Sequence, residues 1–270
     1  MKGNNLLKKI GDIPKNKKFI VFDLDGTLVE TKSVMDEEMA SLFCRLLESK
    51  LVAVISGAKY DLFREQIIKR LNCSQEALSK LFLFPTTATS FYCYNKGWKL
   101  VYANELSKEE KAMIKIAFKK TFKEINYKKP EKTYGKVIED RKSQITFSVL
   151  GQDVVKILGD RGVELKKEWK AKNTPLKMKI AKTLAKYLPD LEVRAAGYSS
   201  IDVTHKGIDK EYGIKQIEKN LKITKKDMFF IGDALYPGGN DNAVLRSGVL
   251  CFEVKSVDDT KKCIRHFLSE

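Results

Sequence analysis

The sequence predicts an α/β protein whose doubly wound, parallel-sheet core is interrupted by an inserted α+β cap domain. Short apolar segments alternate with amphipathic segments at both ends of the chain, as strands and helices alternate in parallel-sheet proteins. The middle has strand-like segments around a Lys-rich helix, which is typical of an antiparallel α+β unit. We place the core at residues 1–87 and 192–270 and the insertion at residues 88–191.

The opening of the chain reads as βαβα. A continuous apolar run such as Phe19–Phe22 suits a strand buried on both faces of a parallel sheet. Pro85 ends the third strand, because proline cannot donate a ladder hydrogen bond. The predicted elements are the strand 18–22, the helix 34–49, the strand 51–55, the helix 60–71 and the strand 81–84.

The pattern then changes and later returns. An Asn-Lys-Gly turn between aromatic-rich runs predicts a hairpin over residues 91–102. The middle section continues with the helix 108–122, the strands 136–139 and 144–150, the helix 175–187, and the strands 192–195 and 200–204. The last part of the chain again alternates helices and strands: the helix 209–221, the strand 228–231, the helix 243–246 and the strand 249–252.

Composition limits the classes of function. The chain has 270 residues, 43% of them hydrophobic, which is enough for a substantial core. The formal charge of +16 comes almost entirely from scattered lysines, and lysine recognises bases and phosphates less well than arginine does. We therefore favour a solvated surface that attracts anionic substrates over a nucleic-acid footprint.

Cysteine usage and the amino terminus favour a cytoplasmic protein. The five cysteines form no Cys-x-x-Cys pair and their number is odd, which fits a reducing compartment best. Residues 1–18 are charged and lack the apolar segment of a signal peptide, and no run is long enough to span a bilayer.

Two carboxylates end the first buried strand. Asp23 follows Phe22 directly, Asp25 lies two residues further on, and both should emerge at the carboxyl edge of the sheet, where open α/β sheets bind ligands. Two acids this close repel each other unless a cation or a shared proton relieves the strain. The pair therefore predicts a metal and a reactive carboxylate.

Three further segments are candidates for the same edge. The second strand ends in Ser56 and Gly57, where a hydroxyl and an open backbone can approach an anion. Lys210 lies near a helix amino terminus, an unfavourable place for a cation unless a negative charge elsewhere recruits it. A later strand ends in Asp233, and a Pro-Gly-Gly turn leads back to Asp241; such oxygen ligands suit Mg²⁺.

In this order the four segments resemble the haloacid dehalogenase superfamily. The resemblance implies that Asp23 attacks phosphorus to form an aspartyl phosphate and that Asp25 protonates the leaving oxygen. Ser56 and Lys210 complete the implied catalytic set. The implied ligands of Mg²⁺ are Asp23, Asp25, Asp233 and Asp241, although Asp241 could instead fix Lys210. Substrate-binding candidates in these motifs are Thr27, Gly57 and Asn240.

The place of the insertion resembles the subclass with a large α/β cap. Within that subclass, residues 200–203, 207–210 and 237–241 are similar to the eukaryotic-type phosphomannomutases. That resemblance implies that Ser200 and Asp202 hold sugar hydroxyls and that Arg141 holds phosphate. Other arginines of that family are missing. The residues at those positions are Gln152, Lys32, and Gly159 with Arg161 two residues away. Gln152 stays a substrate-binding candidate, because its amide could still hydrogen-bond a hydroxyl or a phosphate oxygen.

A mutase must bind a second phosphate group tightly. Arginine binds phosphate through two parallel hydrogen bonds, so the loss of these arginines weakens that second site. We therefore expect a Mg²⁺-dependent phosphohydrolase acting on a phosphorylated sugar or similar small metabolite. The alternatives are a hexose phosphate mutase and a non-enzymatic polyanion-binding protein. Phe91, Tyr92 and Tyr94 could form the surface of a homodimer or the core of the cap, and we favour the core of the cap.

Overall fold

The structure is a computed structural model that describes residues 5–31 and 33–269. It divides into a core unit, Met1–Ala103 with Ile208–Glu270, and an inserted unit, Asn104–Gly207. In chain order, the core unit opens with β1 (Leu6–Leu7), β2 (Phe19–Phe22), α1 (Glu37–Ser49), β3 (Leu51–Ile55), α2 (Tyr60–Gln66), α3 (Gln75–Ser79), β4 (Leu81–Phe84), α4 (Pro85–Ala88), β5 (Ser90–Tyr94) and β6 (Trp98–Ala103). Short 3₁₀ turns lie at Ile10–Asp12 and Ile68–Arg70.

The inserted unit and the return to the core contain the remaining elements. The inserted unit has α5 (Lys108–Glu124), β7 (Ile138–Asp140), β8 (Ile145–Ser148), α6 (Val154–Leu158), α7 (Asp160–Tyr187), β9 (Leu191–Ala196) and β10 (Ser200–His205). The core then ends with α8 (Lys210–Leu221), β11 (Met228–Gly232), α9 (Asn242–Ser247), β12 (Leu250–Glu253) and α10 (Val257–Leu268).

The core unit is built on one eight-stranded sheet in the order β1-β12-β11-β2-β3-β4-β5-β6. All pairs from β1 to β4 are parallel, which confirms the predicted doubly wound core. The strand β2 is buried along its length because separate apolar clusters cover its two faces. Ile20 and Phe22 pack on one face, and Phe19 and Val21 pack on the other.

The aromatic hairpin belongs to the core unit and not to the insertion. The strand β5 pairs antiparallel with β4, and β6 extends the same sheet. Phe91 is 3% exposed and stacks on Phe84 with 4.6 Å between ring centroids, so it is a core residue. The predicted boundary after residue 87 is therefore corrected to Ala103. A homodimer stays a prediction.

The inserted unit has its own four-stranded antiparallel sheet in the order β7-β8-β10-β9. Because β9 and β10 pair within this sheet, the insertion ends at Gly207 and not at residue 191. One face of the sheet is apolar and packs on α5 and α7, where Phe147 and Ile201 meet Phe118 and Leu184. The α+β character predicted for the insertion is thus observed.

The helix α7 begins 15 residues earlier than predicted, at Asp160 instead of Pro175. A proline inside a helix removes one backbone hydrogen bond, whereas the first turn of a helix tolerates it. Two side chains just before Pro175 donate to backbone carbonyls of the preceding turn. Asn173 donates to the carbonyl of Trp169 at 3.1 Å, and Thr174 donates to the carbonyl of Lys170 at 2.7 Å.

Two cysteines are paired, which the sequence analysis did not anticipate. Cys44 on α1 and Cys73 ahead of α3 form a disulfide, while Cys93, Cys251 and Cys263 are free thiols. The cytoplasmic location stays a prediction. Among the described helices, none combines the length and apolar character that crossing a bilayer requires.

Candidate active site

The carboxyl ends of three neighbouring strands bring the predicted core residues to one edge of the sheet. In the central strand β2, Phe22 pairs with Ile231 of β11 and with Val54 of β3. The residues that follow these strands therefore share the edge. The backbone amide of Asp23 donates to the carbonyl of Ile231 at 3.0 Å, which fixes the start of the Asp-x-Asp segment.

A buried lysine bridges two carboxylates at this edge. Lys210 Nζ donates to Oδ1 of Asp23 and to Oδ1 of Asp241. The three side chains are 5% exposed or less. Lys210 is the first residue of α8, whose amino terminus is capped by Asp209 through a 3.0 Å bond from the amide of Tyr212. Of the two alternatives for this lysine, a solvated side chain or one recruited by a negative charge, these contacts favour the second.

Both carboxylate oxygens of Asp241 accept hydrogen bonds. Its Oδ2 accepts from the backbone amide of Ala234 at 3.0 Å, while Oδ1 accepts from Lys210. A side chain at Gly232 would overlap Oδ2, so a glycine is required where the loop returns to the strand end. These contacts favour the alternative in which Asp241 positions Lys210.

Asp23, Asp233 and Asp241 form the acidic cluster of the core unit. One carboxylate oxygen of each lies within 4.8 Å of the others. The carboxylate of Asp25 lies outside this group and is instead 3.5 Å from Nε2 of Gln66. The structure thus supports three of the four predicted metal ligands as a cluster, and Asp25 as a ligand stays a prediction.

The electrostatics of this cluster fit a cation. Burial raises the pKa of Asp23 well above its ordinary value, with Lys210 opposing and Asp241 reinforcing the shift. Burial, with repulsion from Asp241, likewise raises the pKa of Asp233. Burial alone would lower the pKa of Lys210, but the two carboxylates outweigh it and raise that pKa. Three crowded oxygen donors of this kind are a donor set that suits Mg²⁺.

The turn after Asp25 also has a constrained geometry. Gly26 has φ +82°, and a Cβ there would lie 2.7 Å from Oδ2 of Asp233. The next residue, Thr27, is fully buried, and its hydroxyl has no hydrogen-bond partner within the described part of the chain. A buried hydroxyl without a partner beside the acidic cluster is a candidate donor to a bound anion.

Ser56 and Gly57 are shaped by a second turn, which the sequence analysis missed. Ser56 is buried, and its hydroxyl accepts from the amide of Ala58 at 3.1 Å. The amides of Thr86 and Thr87 donate to the carbonyls of Ala58 and Ser56 at 2.9 and 2.8 Å. Residues 86–88 have φ of 48°, 57° and 62°, a left-handed conformation that costs about 1–2 kcal/mol per non-glycine residue. No sequence signal marks this turn, because glycine is absent from it.

In the inserted unit, Ser200 and Asp202 lie on the polar face of the sheet. The register aligns Glu139, Thr146, Asp202 and Arg194 in one row across the four strands. Thr146 donates to Oδ1 of Asp202 at 2.8 Å and accepts from Nε2 of Gln144 at 2.8 Å. Burial raises the pKa of Asp202, while Arg141 and the bond from Thr146 oppose the rise.

Gln144 and Thr146 were missed by the sequence analysis, although a signal was present. Polar residues alternate with apolar ones along β8, from Gln144 to Val149, and such a period of two marks a strand with one polar face. Ser200 lies on the same face as Asp202, two residues before it and opposite Ser148.

Arg141 is already engaged by its neighbours. Its Nε lies 2.7 Å from Oε2 of Glu139, and its Nη2 donates to Oε1 of Gln152 at 3.1 Å. Arg161 is exposed and pairs with Glu164 and Glu168, its own neighbours on α7.

Two further positions from the sequence analysis are Asn240 and Lys32. Asn240 is exposed on the loop between Asp233 and Asp241, and its substrate-binding role stays a prediction. Lys32 lies outside the described residues.

The core geometry agrees with a family comparison. A family model described as haloacid dehalogenase-like hydrolase matches residues 20–257. The chain belongs to this family. It is therefore an enzyme, either a phosphatase or a phosphotransferase, and the predicted superfamily is confirmed.

Similar proteins extend this comparison along nearly the whole chain. The phosphomannomutase of Saccharomyces cerevisiae is 24% identical over 258 residues, covering 93% of this chain and 94% of the relative. The phosphomannomutase of Triticum aestivum is 27% identical over 259 residues, covering 93% and 95%. The predicted resemblance to phosphomannomutases is thus confirmed.

Solved structures support the fold. The IMP-bound IMP-nucleotidase of Plasmodium falciparum aligns with a TM-score of 0.65 at 18% identity, over 96% of this chain and 70% of that one. A haloacid dehalogenase-like hydrolase from Bacteroides thetaiotaomicron aligns with a TM-score of 0.57 at 15% identity, over 91% of both chains. At these identities the likeness shows the fold alone.

Proposed function

We propose that this protein is a Mg²⁺-dependent phosphohydrolase that acts through an aspartyl phosphate on a phosphorylated sugar or similar small metabolite. The observation that carries the proposal is the buried bridge from Lys210 to Asp23 and Asp241, with Asp233 within 4.8 Å. A buried cation and a crowded acidic cluster serve little structural purpose, because replacing buried ion pairs by apolar groups is often neutral or stabilising.

Asp23 would act as the nucleophile. Its carboxylate oxygen forms the new bond to phosphorus while the bond from phosphorus to the leaving oxygen breaks, and Asp25 gives that oxygen a proton. In the second step Asp25 takes a proton from water as the water oxygen bonds to phosphorus. The bond between Asp23 and phosphorus breaks as the bond to water forms, which releases inorganic phosphate, restores the carboxylate of Asp23 and leaves Asp25 protonated for the next turnover.

The other core residues would balance charge. Lys210 neutralises part of the negative charge that nucleophile and phosphate bring together, and Thr27, Ser56 and the backbone of Gly57 donate to phosphate oxygens. Mg²⁺ held by Asp23 and Asp233 would supply further neutralisation of the carboxylate and phosphate oxygens. We assign recognition of the sugar part to Ser200, Asp202 and Arg141, on the inserted unit.

A mutase is the second candidate, because the phosphomannomutases match along nearly the full length of the chain. A mutase must hold a bisphosphate, and the arginines for a second phosphate are depleted here. Gln152 accepts a bond from Arg141, and Arg161 pairs with glutamates on its own helix. These contacts favour water over a sugar hydroxyl as the phosphoryl acceptor.

The test compares phosphate release with isomerisation. The protein is incubated with mannose 1-phosphate, Mg²⁺ and a trace of hexose bisphosphate, and both inorganic phosphate and hexose 6-phosphate are measured. We expect phosphate release to be the faster reaction, to disappear in Asp23→Asn, and to persist in the exposed control Asp190→Asn. Faster formation of hexose 6-phosphate would decide for the mutase, and retained turnover in Asp23→Asn would exclude the aspartyl phosphate.

A further inference from the structure

A buried glutamine contacts the proposed acid and base. Gln66 is the last residue of α2 and is 4% exposed, and the sequence analysis did not select it. Its Nε2 lies 3.5 Å from Oδ1 of Asp25 and 3.0 Å from the backbone carbonyl of Ser33. One amide group has two hydrogens, so it can donate to both acceptors at once.

The backbone of Gln66 strengthens the same connection. Its carbonyl, at the end of a helix where it lacks an intrahelical partner, accepts from the amide of Met35 at 2.8 Å. Gln66 thus makes two hydrogen bonds to residues 33–35, which follow the Asp-x-Asp segment, and one longer contact to the carboxylate of Asp25. The carboxylate of Asp25 is thus attached to α2 as well as to its own loop.

The other half of the amide makes no hydrogen bond among the described residues, so the polar contacts of the Gln66 side chain are those of its Nε2. Oε1 of Gln66 is buried and has no hydrogen-bond partner among the described residues. A buried acceptor without a partner costs free energy, which an apolar side chain of similar size at this position would avoid. A glutamine here is therefore best explained by what its Nε2 contacts.

We propose that Gln66 is a positioning residue for Asp25: its amide holds the carboxyl group in the orientation from which Asp25 serves the leaving oxygen. The inference rests on the proposed function, in which Asp25 is the acid of the first step. The 3.5 Å separation is long for a hydrogen bond, as is common in catalytic sites without substrate.

The test uses two leaving groups that differ in their need for a proton. Dinitrophenolate leaves without protonation, whereas phenolate leaves far better when an acid protonates it. We compare kcat/KM for 2,4-dinitrophenyl phosphate and phenyl phosphate, because kcat/KM reports only the steps through departure of the leaving group. The ratio of the two values does not depend on the fraction of protein that is folded.

Gln66→Met keeps the size of the side chain and removes the donor. We expect kcat/KM for phenyl phosphate to fall about 10-fold or more, a part of the 10²–10⁴-fold typical of a general acid, while 2,4-dinitrophenyl phosphate changes less than about threefold. The matched control is Ile67→Val, which trims a buried neighbour on the same segment. It should lower the thermal midpoint and leave the ratio of the two kcat/KM values unchanged.

Asp25→Asn separates the inference from the function on which it rests. If Asp25→Asn slows both substrates equally, Asp25 is not the acid, and the step that the proposed function assigns to it falls together with the inference. If Asp25→Asn selectively slows phenyl phosphate but Gln66→Met slows both equally or neither, the proposed function stands. In that case the positioning role of Gln66 is overturned.

Discussion

Replacing Asp233 by asparagine should stabilise the metal-free protein and abolish its stabilisation by Mg²⁺. Two unit charges 4.8 Å apart repel each other by about 3.5 kcal/mol at an effective dielectric constant of about 20. Asp233 faces two such charges, on Asp23 and Asp241, and is attracted by Lys210. After that attraction and partial solvent exposure are subtracted, we expect Asp233→Asn to gain about 1–2 kcal/mol at pH 8 in EDTA.

The pH dependence has a defined sign. The pKa values of Asp23 and Asp233 are raised in the folded state. Their contribution to stability is therefore fully present below the ordinary carboxyl pKa of about 3.9 and is lost as pH rises through the folded pKa. The native protein should lose more stability than Asp233→Asn between pH 4 and pH 8.

Urea unfolding at both pH values, with EDTA and with Mg²⁺, measures these differences. A ligand at 100 times its Kd stabilises by about 2.7 kcal/mol, so saturating Mg²⁺ should raise the native midpoint clearly and the variant midpoint little. A variant less stable than the native protein at pH 8 in EDTA would refute the electrostatic reasoning. An equal response of both proteins to Mg²⁺ would refute Asp233 as a ligand.

Three further substitutions test single contacts. Gly26→Ala introduces a Cβ 2.7 Å from Asp233 at a positive φ, and activity should fall at least tenfold, with a cost of about 1–2 kcal/mol measured by urea unfolding. Lys210→Met leaves the two buried carboxylates that it bridges without their cation, and unfolding should become easier by about 3–5 kcal/mol, with no measurable phosphate release. Thr146→Val removes the hydroxyl that donates to Asp202, and KM for a sugar phosphate should rise more than kcat falls; equal kcat and KM in variant and native protein would contradict a binding role.

The core was predictable because its strands are local features of the sequence. The strands Leu51–Ile55 and Leu81–Phe84 appear at their predicted bounds, since each is a short apolar run that ends in a clear stop signal. The division between the units was not predictable to the same degree. Whether the hairpin at β5–β6 joins the core sheet or the inserted sheet depends on which strand it pairs with, and that choice is made by packing such as Phe91 on Phe84.

The same distinction applies to the site residues. Asp23, Lys210, Asp233 and Asp241 follow strand ends or begin a helix, and parallel topology places such positions at one edge whatever the intervening sequence is. No strand end or helix start in the sequence places Gln66 or the left-handed turn at residues 86–88 at this site. Gln66 meets Asp25 through a separation of 41 residues, and the turn is set by amides that donate to the carbonyls of Ser56 and Ala58.

Charge balance explains why the core cluster combines three carboxylates with one lysine. When all are ionised, three charges of −1 and one of +1 leave −2 at the edge of the sheet. A phosphate monoester that approaches as a dianion would be repelled by this charge, and an ionised Asp23 could not attack it. One divalent cation would bring the cluster to neutrality, and Lys210 opposes the rise that burial causes in the pKa of Asp23. Removing either charge from the site therefore penalises substrate binding and nucleophilic attack together, which is why a metal requirement and a lysine requirement should appear in the same enzyme.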